Sequence, residues 1–134
     1  MLISTSVQPT KKKTGVVFFA HGSPIESANE AVRQVARAAA ERGGFDLWET
    51  GFLEGGRPDL AGATAALVAA GSSRIVVVPY FLTLGLHLQR DLPRLVAELA
   101  SNYQDVEIVC GDPLDGHPAL AEILADRARE AHKR

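Results

Sequence analysis

Two short stretches of this 134-residue chain are apolar at every position: residues 16–20 read Val-Val-Phe-Phe-Ala, and residues 75–78 read Ile-Val-Val-Val. Continuous apolar runs of this length are typical of parallel strands that are buried on both faces. Residues 46–53 and 106–110 are strand-like but of mixed polarity, which indicates strands at the edges of a sheet. The sequence therefore predicts a four-stranded parallel sheet in which the first and third strands are central and the strand order is 2-1-3-4.

Helical periodicity follows each predicted strand. Apolar residues recur at spacings of three and four over residues 25–39, and either Ser23–Glu26 or Ser27–Glu30 would form a capping box there. This alternation of strands and helices predicts a three-layer α/β fold with helices on both faces of the sheet. The other predicted helix features are Pro58 at the start of the second helix, Pro93 in the first turn of the third, Pro118 at the start of the fourth, and Leu120, Ile123, Leu124 and Ala128 facing inward from the fourth.

Chain length and charge limit the classes of protein that fit. The length suits a single domain, predicted over residues 15–134 after a flexible tail over residues 1–14. A formal net charge of -2 gives no general attraction to nucleic acid, and the longest apolar run, residues 75–82, is too short to span a membrane. The single cysteine, Cys110, excludes an internal disulfide and favours the cytoplasm; we expect it to be a small buried hydrophobic residue.

The predicted topology directs attention to the carboxyl ends of the two central strands. Ligands of open α/β sheets bind where the strand order reverses, and here the segments after Ala20 and Phe81 meet. They read His21-Gly22-Ser23-Pro24 and Leu84-Gly85-Leu86-His87. Two imidazoles suit cobalt, iron, nickel or zinc and hold an ion without enclosing it. The alternative is that each histidine only makes a local hydrogen bond. The neighbouring glycines, Gly22 and Gly85, either allow close approach of the backbone or are ordinary turn residues.

Several short sequence motifs together resemble those of one family, the small sirohydrochlorin chelatases of the CbiX/SirB type. The resemblance covers nearly the whole chain from Gly15 to the last helix. A single motif is weak, but the set of motifs in this order is specific for the family. The matching motifs are Phe19-Ala20-His21-Gly22-Ser23, Gly51-Phe52-Leu53-Glu54, Val77-Val78-Pro79-Tyr80-Phe81-Leu82 with Gly85-Leu86-His87, Arg90-Asp91-Leu92-Pro93 and Gly116-His117-Pro118-Ala119-Leu120.

The resemblance implies a chelatase-like domain, equivalent to a flavodoxin-like half of the two-domain chelatases, that pairs into a homodimer. It implies a lyase that inserts cobalt or iron, or nickel as in some archaeal relatives, into a tetrapyrrole for cobalamin or siroheme, with no cofactor beyond the substrate metal. His21 would be metal ligand and proton acceptor, and His87 the second metal ligand. Pro24 departs from the family, in which an arginine often follows the serine. The implied substrate contacts are Arg57, Leu82, Thr83, Leu84, Gly85, Leu86 and His87.

Simple chemistry agrees with these roles. Insertion removes two pyrrole N–H protons, and an imidazole that titrates near neutrality can accept one. Because such substrates carry many carboxylates, Arg57 could anchor one through a charge-assisted pair, or be a solvated surface arginine; Arg90 is a weaker candidate. Glu54, at the end of the second strand, is expected close to His21 as a third ligand, a proton shuttle or a solvated carboxylate. We expect His117 to shape a helix start, with a substrate contact as the alternative. Trp48 and Phe52 are expected to pack in the fold rather than to form a stacking platform for the macrocycle.

Two other functions are compatible with parts of the pattern. Phosphoryl transfer through histidine usually requires an arginine directly before the histidine, whereas this chain has Ala20 there. A protein that binds metal or tetrapyrrole without inserting one into the other would use the same ligands, and only turnover separates it from a chelatase. The ligand set accepts cobalt and iron alike, so the sequence does not choose between the cobalamin and siroheme pathways.

Overall fold

The structure, a computed structural model, describes residues 13–134. The predicted tail up to residue 12 lies outside these residues, so the division into tail and domain stays a prediction. Among residues 13–134, none of the helices combines the length and apolar character that crossing a membrane requires. Strands and helices alternate in the order β1 (Thr14–Ala20), α1 (Glu26–Gly43), β2 (Leu47–Phe52), α2 (Leu60–Ala69), β3 (Arg74–Tyr80), α3 (Leu86–Asn102), β4 (Glu107–Cys110) and α4 (Ala119–His132).

The four strands form a parallel sheet of order β2-β1-β3-β4, which confirms the predicted topology. Ala20, the last residue of β1, pairs with Phe52 of β2 on one side and with Tyr80 of β3 on the other. The three strands therefore end level with one another. The loops that follow them, which begin at His21 and Phe81 for the two central strands, leave the same edge of the sheet.

One face of the sheet carries the main hydrophobic core. Inward side chains of β1 and β3, such as Val17 and Ile75, pack there against α2 and α3, and the buried members are Val17, Phe19, Leu60, Ala63, Leu67, Ile75, Val77, Leu92 and Leu99. Burying each large aliphatic or aromatic side chain contributes about 1.5–3 kcal/mol. This cluster fixes the two central strands, and through them the positions from which the site loops start.

Helix α1 lies against β1 and β2 on the opposite face. Its buried residues are Asn29, Ala36 and Ala40, whereas Ile25 and Val35, which belong to the apolar periodicity of residues 25–39, are 64% and 51% exposed. The two alanines allow close approach to the sheet, and Asn29 is buried because its amide bonds to the site loops. Both predicted capping boxes are wrong, since the N-cap residue is Ile25 and no side chain caps the helix.

Two other helix starts differ from the predictions made from proline. Helix α2 begins at Leu60, where the Asp59 side chain accepts a hydrogen bond of 2.8 Å from the Gly62 N–H, and Pro58 precedes it with a cis peptide bond. Helix α3 begins at Leu86, so Pro93 lies in its interior and not in its first turn. An interior proline removes one helical hydrogen bond, which the packing of α3 tolerates.

The prediction that α4 packs inward is wrong. None of its residues is buried, and Ile123 and Leu124 are 52% and 69% exposed. We call Leu120, Ile123 and Leu124 the α4 stripe. The sheet has a matching unfilled surface beside α1, because half-buried side chains of β3 and β4 share that face. This surface, which we call the open strip, consists of Val76, Val78, Tyr80 and Val109.

Candidate functional site

His21 directly follows β1, and its side chain is 60% exposed. Its Nε2 atom lies 3.6 Å from Oε1 of Glu54, and its Nδ1 atom lies 3.2 Å from the carbonyl oxygen of Gly22. A proton on Nδ1 can be donated to that carbonyl, which leaves the Nε2 lone pair on the side of Glu54. The pair therefore offers one nitrogen and one carboxylate to a metal ion or to a proton in transfer. This proximity is the one expected from the pairing of β1 with β2.

The backbones that carry His21 and Glu54 interlock beyond the ends of the strands. The N–H of Leu53 donates to the Ala20 carbonyl over 2.9 Å, and the N–H of Glu54 donates to the His21 carbonyl over 3.0 Å. Gly22 has a φ of +87°, and a Cβ there would overlap the carbonyl oxygen of Glu54. Gly22 therefore meets the expectation of close backbone approach.

His87 occupies a different setting from the predicted loop. It is the second residue of α3, exposed, and it lines a cavity of about 390 Å³. The helix begins at an ordinary N-cap, Gly85, with a φ of -66° and no other part of the chain close to it. Of the two interpretations of Gly85, the structure fits the ordinary turn residue. Within residues 13–134 no three histidine, cysteine or acidic side chains form a ready metal site. The His21–His87 metal pair stays a prediction.

The loop between β3 and α3 presents apolar side chains to solvent. Leu82 and Leu86 are 65% and 74% exposed, and Thr83 is exposed beside them, while Leu84 is half-buried against the core. The ring of Phe81 stands edge-on to His21, with ring centroids 6.5 Å apart. A flat apolar ligand could therefore rest on this loop with its centre close to His21.

Arg57 borders a second cavity, of about 620 Å³, which it shares with Glu54 and Arg33. Arg57 is exposed, and its carbonyl oxygen accepts a hydrogen bond of 3.4 Å from Arg33. Arg33 also bonds to Glu26 over 2.5 Å and to Glu30 over 3.2 Å, and the bond to Arg33 lowers the pKa of Glu26. Sequence reasoning missed Arg33, although its spacing from the two glutamates places all three on one helical face.

The remaining candidates lie apart from this pair of loops. His117 accepts a hydrogen bond of 3.0 Å at Nδ1 from the N–H of Ala119, which confirms its role at a helix start. Trp48 packs edge-on against Phe18, as predicted.

Cys110 is exposed at the end of β4, so its predicted burial is wrong. Partial burial of the sulfur, together with the charge of nearby Asp112, raises the pKa of the thiol and disfavours the thiolate that a metal would need. Arg90 is exposed on α3.

Known proteins resemble this chain in sequence. A sirohydrochlorin cobaltochelatase from Methanopyrus kandleri is 32% identical over 87% of this chain and 95% of its own length. Two solved structures share the fold. A CbiX protein of cobalamin biosynthesis from Marinobacter aquaeolei is 25% identical, with a TM-score of 0.80 over 90% of this chain and 98% of that one.

The second structure is the sirohydrochlorin chelatase SirB from Bacillus subtilis subspecies spizizenii in complex with cobalt. It is 24% identical, with a TM-score of 0.81 over 88% of this chain and 50% of that one, and this likeness concerns the fold. The family model CbiX matches residues 15–131, which is most of the chain. Together with the full-length similarity to the Methanopyrus relative, this match establishes that the chain belongs to the CbiX family.

Proposed function

We propose that this protein is a lyase that inserts a divalent metal ion, Co²⁺ or Fe²⁺, into a tetrapyrrole of the sirohydrochlorin type. The observation that carries the proposal is the His21–Glu54 pair at the carboxyl edge of the sheet, in a chain of the CbiX family. Its Methanopyrus relative, matched over nearly its full length, is a sirohydrochlorin cobaltochelatase. The site is open, as a chelatase requires, because the ion must leave for the macrocycle.

Proton removal is the step that His21 performs in this mechanism. Each metallation releases two pyrrole protons, and the divalent ion replaces them, so the charge on the macrocycle core is unchanged. Nε2 of His21 accepts one proton, and the carboxylate of Glu54, 3.6 Å away, stabilises the resulting imidazolium or passes the proton to water. The second pyrrole proton leaves to water in the open site. A single nitrogen cannot hold the metal and a proton at once, so metal release from His21 precedes protonation.

Substrate binding uses the two surfaces that flank this pair. The apolar side chains of the loop after β3, Leu82 and Leu86, support the macrocycle, and His87 completes the metal contacts from the first turn of α3. The guanidinium of Arg57 anchors a peripheral carboxylate through a charge-assisted pair. The exposure of Arg57 and its position in the cavity beside Glu54 support this assignment.

We assign cobalt as the first metal to test, because the Methanopyrus relative is a cobaltochelatase. Iron and nickel accept the same nitrogen and oxygen ligands. The metal is the substrate of the reaction, and the mechanism needs no separate cofactor. A cytoplasmic location agrees with a chain that has one cysteine, Cys110.

Turnover separates a chelatase from a protein that only binds metal or tetrapyrrole. Catalytic amounts of the protein are mixed anaerobically with excess sirohydrochlorin and Co²⁺, or Fe²⁺ in a parallel reaction, and the absorption spectrum is followed beside a protein-free control. We expect many equivalents of metallated product per protein, formed well above the spontaneous rate. Conversion that stops at one equivalent would favour the carrier function, and no acceleration with either metal would contradict the proposal.

We also propose that the protein acts as a homodimer. It spans half of the Bacillus chelatase chain, which it matches in fold, so two copies would supply the equivalent of that chain. The α4 stripe, of which Ile123 and Leu124 are exposed, and the half-buried open strip support an exchange in which α4 of each copy covers the sheet of the other. Such an interface would be symmetric, as in most homodimers.

Disrupting the α4 stripe should separate the copies. We expect light scattering after size exclusion to give twice 14.3 kDa for the wild type and 14.3 kDa for Leu124→Asp, because the buried carboxylate would have no partner. Arg129→Gln, on the opposite side of α4, also lowers the net charge by one and should remain dimeric. A monomeric wild type, or an unchanged mass for Leu124→Asp, would contradict this interface.

A further inference from the structure

Asn29 is the one polar side chain among the buried residues of α1, and it is only 1% exposed. A buried amide is costly unless its hydrogen bonds are made. Its Oδ1 atom accepts from the N–H of Ser23 over 2.9 Å, and its Nδ2 atom donates to the Ser23 carbonyl over 2.8 Å and to the Gly55 carbonyl over 3.1 Å. These three bonds go to the two loops that leave the carboxyl edge of the sheet after β1 and β2. A fourth and longer bond, of 3.4 Å, runs from Nδ2 to a carboxylate oxygen of Glu26 on the same helix.

These bonds tie together the two functional side chains through their neighbours. Ser23 is two residues after His21, and Gly55 directly follows Glu54. The side chains of His21 and Glu54 are themselves 60% and 70% exposed, so packing holds them weakly. Asn29, by contrast, is fixed on a helix whose alanines are packed against the sheet. It is therefore a rigid point to which both loops are bound.

We propose that Asn29 is a positioning residue that sets the separation between Nε2 of His21 and the carboxylate of Glu54. The catalytic consequence of this inference rests on the proposed function. The hydrogen bonds from Asn29 to the two loops, which we call the clamp, are present whatever the function. An amide is suited to the task because one side chain supplies both an acceptor and donors. Aspartate of the same shape would keep the bond to the Ser23 N–H but would set a charged oxygen against two carbonyl oxygens.

The expected effect is on the chemical step rather than on substrate affinity. Displacing a catalytic group by about 1 Å can cost about 100-fold in rate. Asn29→Ala should therefore lower kcat about 10- to 100-fold, while KM for sirohydrochlorin changes less than about twofold, because the substrate contacts lie on other residues. Thr64→Val is the matched control: Thr64 is also fully buried and bonds to the Leu60 carbonyl, but on α2, which packs on the other face.

A double-mutant cycle with Glu54→Gln separates positioning from general destabilisation. If Asn29 acts by placing Glu54 beside His21, Asn29→Ala should reduce kcat strongly in the wild type and much less in the Glu54→Gln background. An equal fold reduction in both backgrounds, or no loss of kcat in Asn29→Ala, would overturn the proposal. If Asn29→Ala does not fold, Asn29→Asp enters the same cycle with the same two readings.

Amide hydrogen exchange tests the clamp without metal or substrate, so its outcome is independent of the proposed function. In Asn29→Ala, exchange should accelerate at the N–H groups of Ser23 and Glu54 and stay unchanged in β3. In Asn29→Asp, which keeps the acceptor for the Ser23 N–H, it should accelerate at Glu54. Thr64→Val should leave both loop amides protected. Unchanged protection of Ser23 and Glu54 in the Asn29 variants would overturn the clamp, whereas loop loosening in a protein without turnover would refute only the proposed function.

Discussion

Replacing His21 with alanine is expected to abolish metal insertion and to leave the fold intact. The imidazole is the nitrogen base of the site, and losing a positioned acid–base group typically costs about 10²–10⁴ in rate. The same side chain is 60% exposed, so its removal should change the free energy of unfolding by no more than about 0.5 kcal/mol. Anaerobic metallation rates and thermal unfolding of the same samples measure the two effects separately.

His132 provides the control for this substitution. It is an exposed histidine at the end of α4, away from both site loops, and His132→Ala should retain the wild-type rate. If His21→Ala kept its turnover, His21 would be neither the base nor an essential metal ligand. If His21→Ala instead melted well below the wild type, the loss of activity could not be assigned to the missing imidazole.

The sheet and the proximity of His21 to Glu54 were predictable because both follow from local composition. The apolar runs 16–20 and 75–78 can be buried on both faces only in the centre of a sheet, and the structure places them there. Once β2 lies beside β1, the residues that follow the two strands must be neighbours. Glu54 could thus be assigned to the vicinity of His21 before any distance was known.

Polar residues within helices could not be assigned in this way. Apolar periodicity treats Asn29 and Arg33 as outward residues, yet Asn29 is buried because the loops after β1 and β2 supply its hydrogen-bond partners. The partners come from residues up to 26 positions away in sequence, and no local pattern reveals them. The α4 stripe has the same limit for apolar residues. Its periodicity correctly indicates an apolar surface, but the sequence does not indicate which surface packs against it.

The start of α3 was misplaced for a related reason. Proline is favoured in the first turn of a helix, and this preference placed the start of α3 near Pro93. The helix instead begins at Leu86, directly after the short loop that follows β3. The burial of Leu92 and Leu99 in the core outweighs the one helical hydrogen bond that Pro93 removes. His87 therefore projects from a helix, whose geometry fixes it more firmly than a loop would.

Gly22→Ala is expected to destabilise the protein and to disable the site together. Gly22 has a φ of +87°, and a Cβ there would overlap the carbonyl oxygen of Glu54. A left-handed conformation costs a residue other than glycine about 1–2 kcal/mol, and overpacking adds about 1–3 kcal/mol. We therefore expect the free energy of unfolding to fall by about 2–5 kcal/mol in urea titrations. Relief of the overlap must shift the loop of His21 and Gly22 relative to the backbone of Glu54, so kcat should fall even where the variant is fully folded.

Gly44→Ala measures how much the left-handed backbone conformation alone lowers the free energy of unfolding, without the steric overlap that Gly22→Ala adds. Gly44 ends α1 with a φ of +73°, but a Cβ there would meet nothing within 4 Å. This variant should lose only about 1–2 kcal/mol and should keep the wild-type rate of metallation. Equal destabilisation of the two variants would show that the Gly22 loop yields to an added methyl group. Wild-type turnover in Gly22→Ala would go further, because it would mean that metal insertion does not depend on the packing of the His21 loop against the Glu54 backbone.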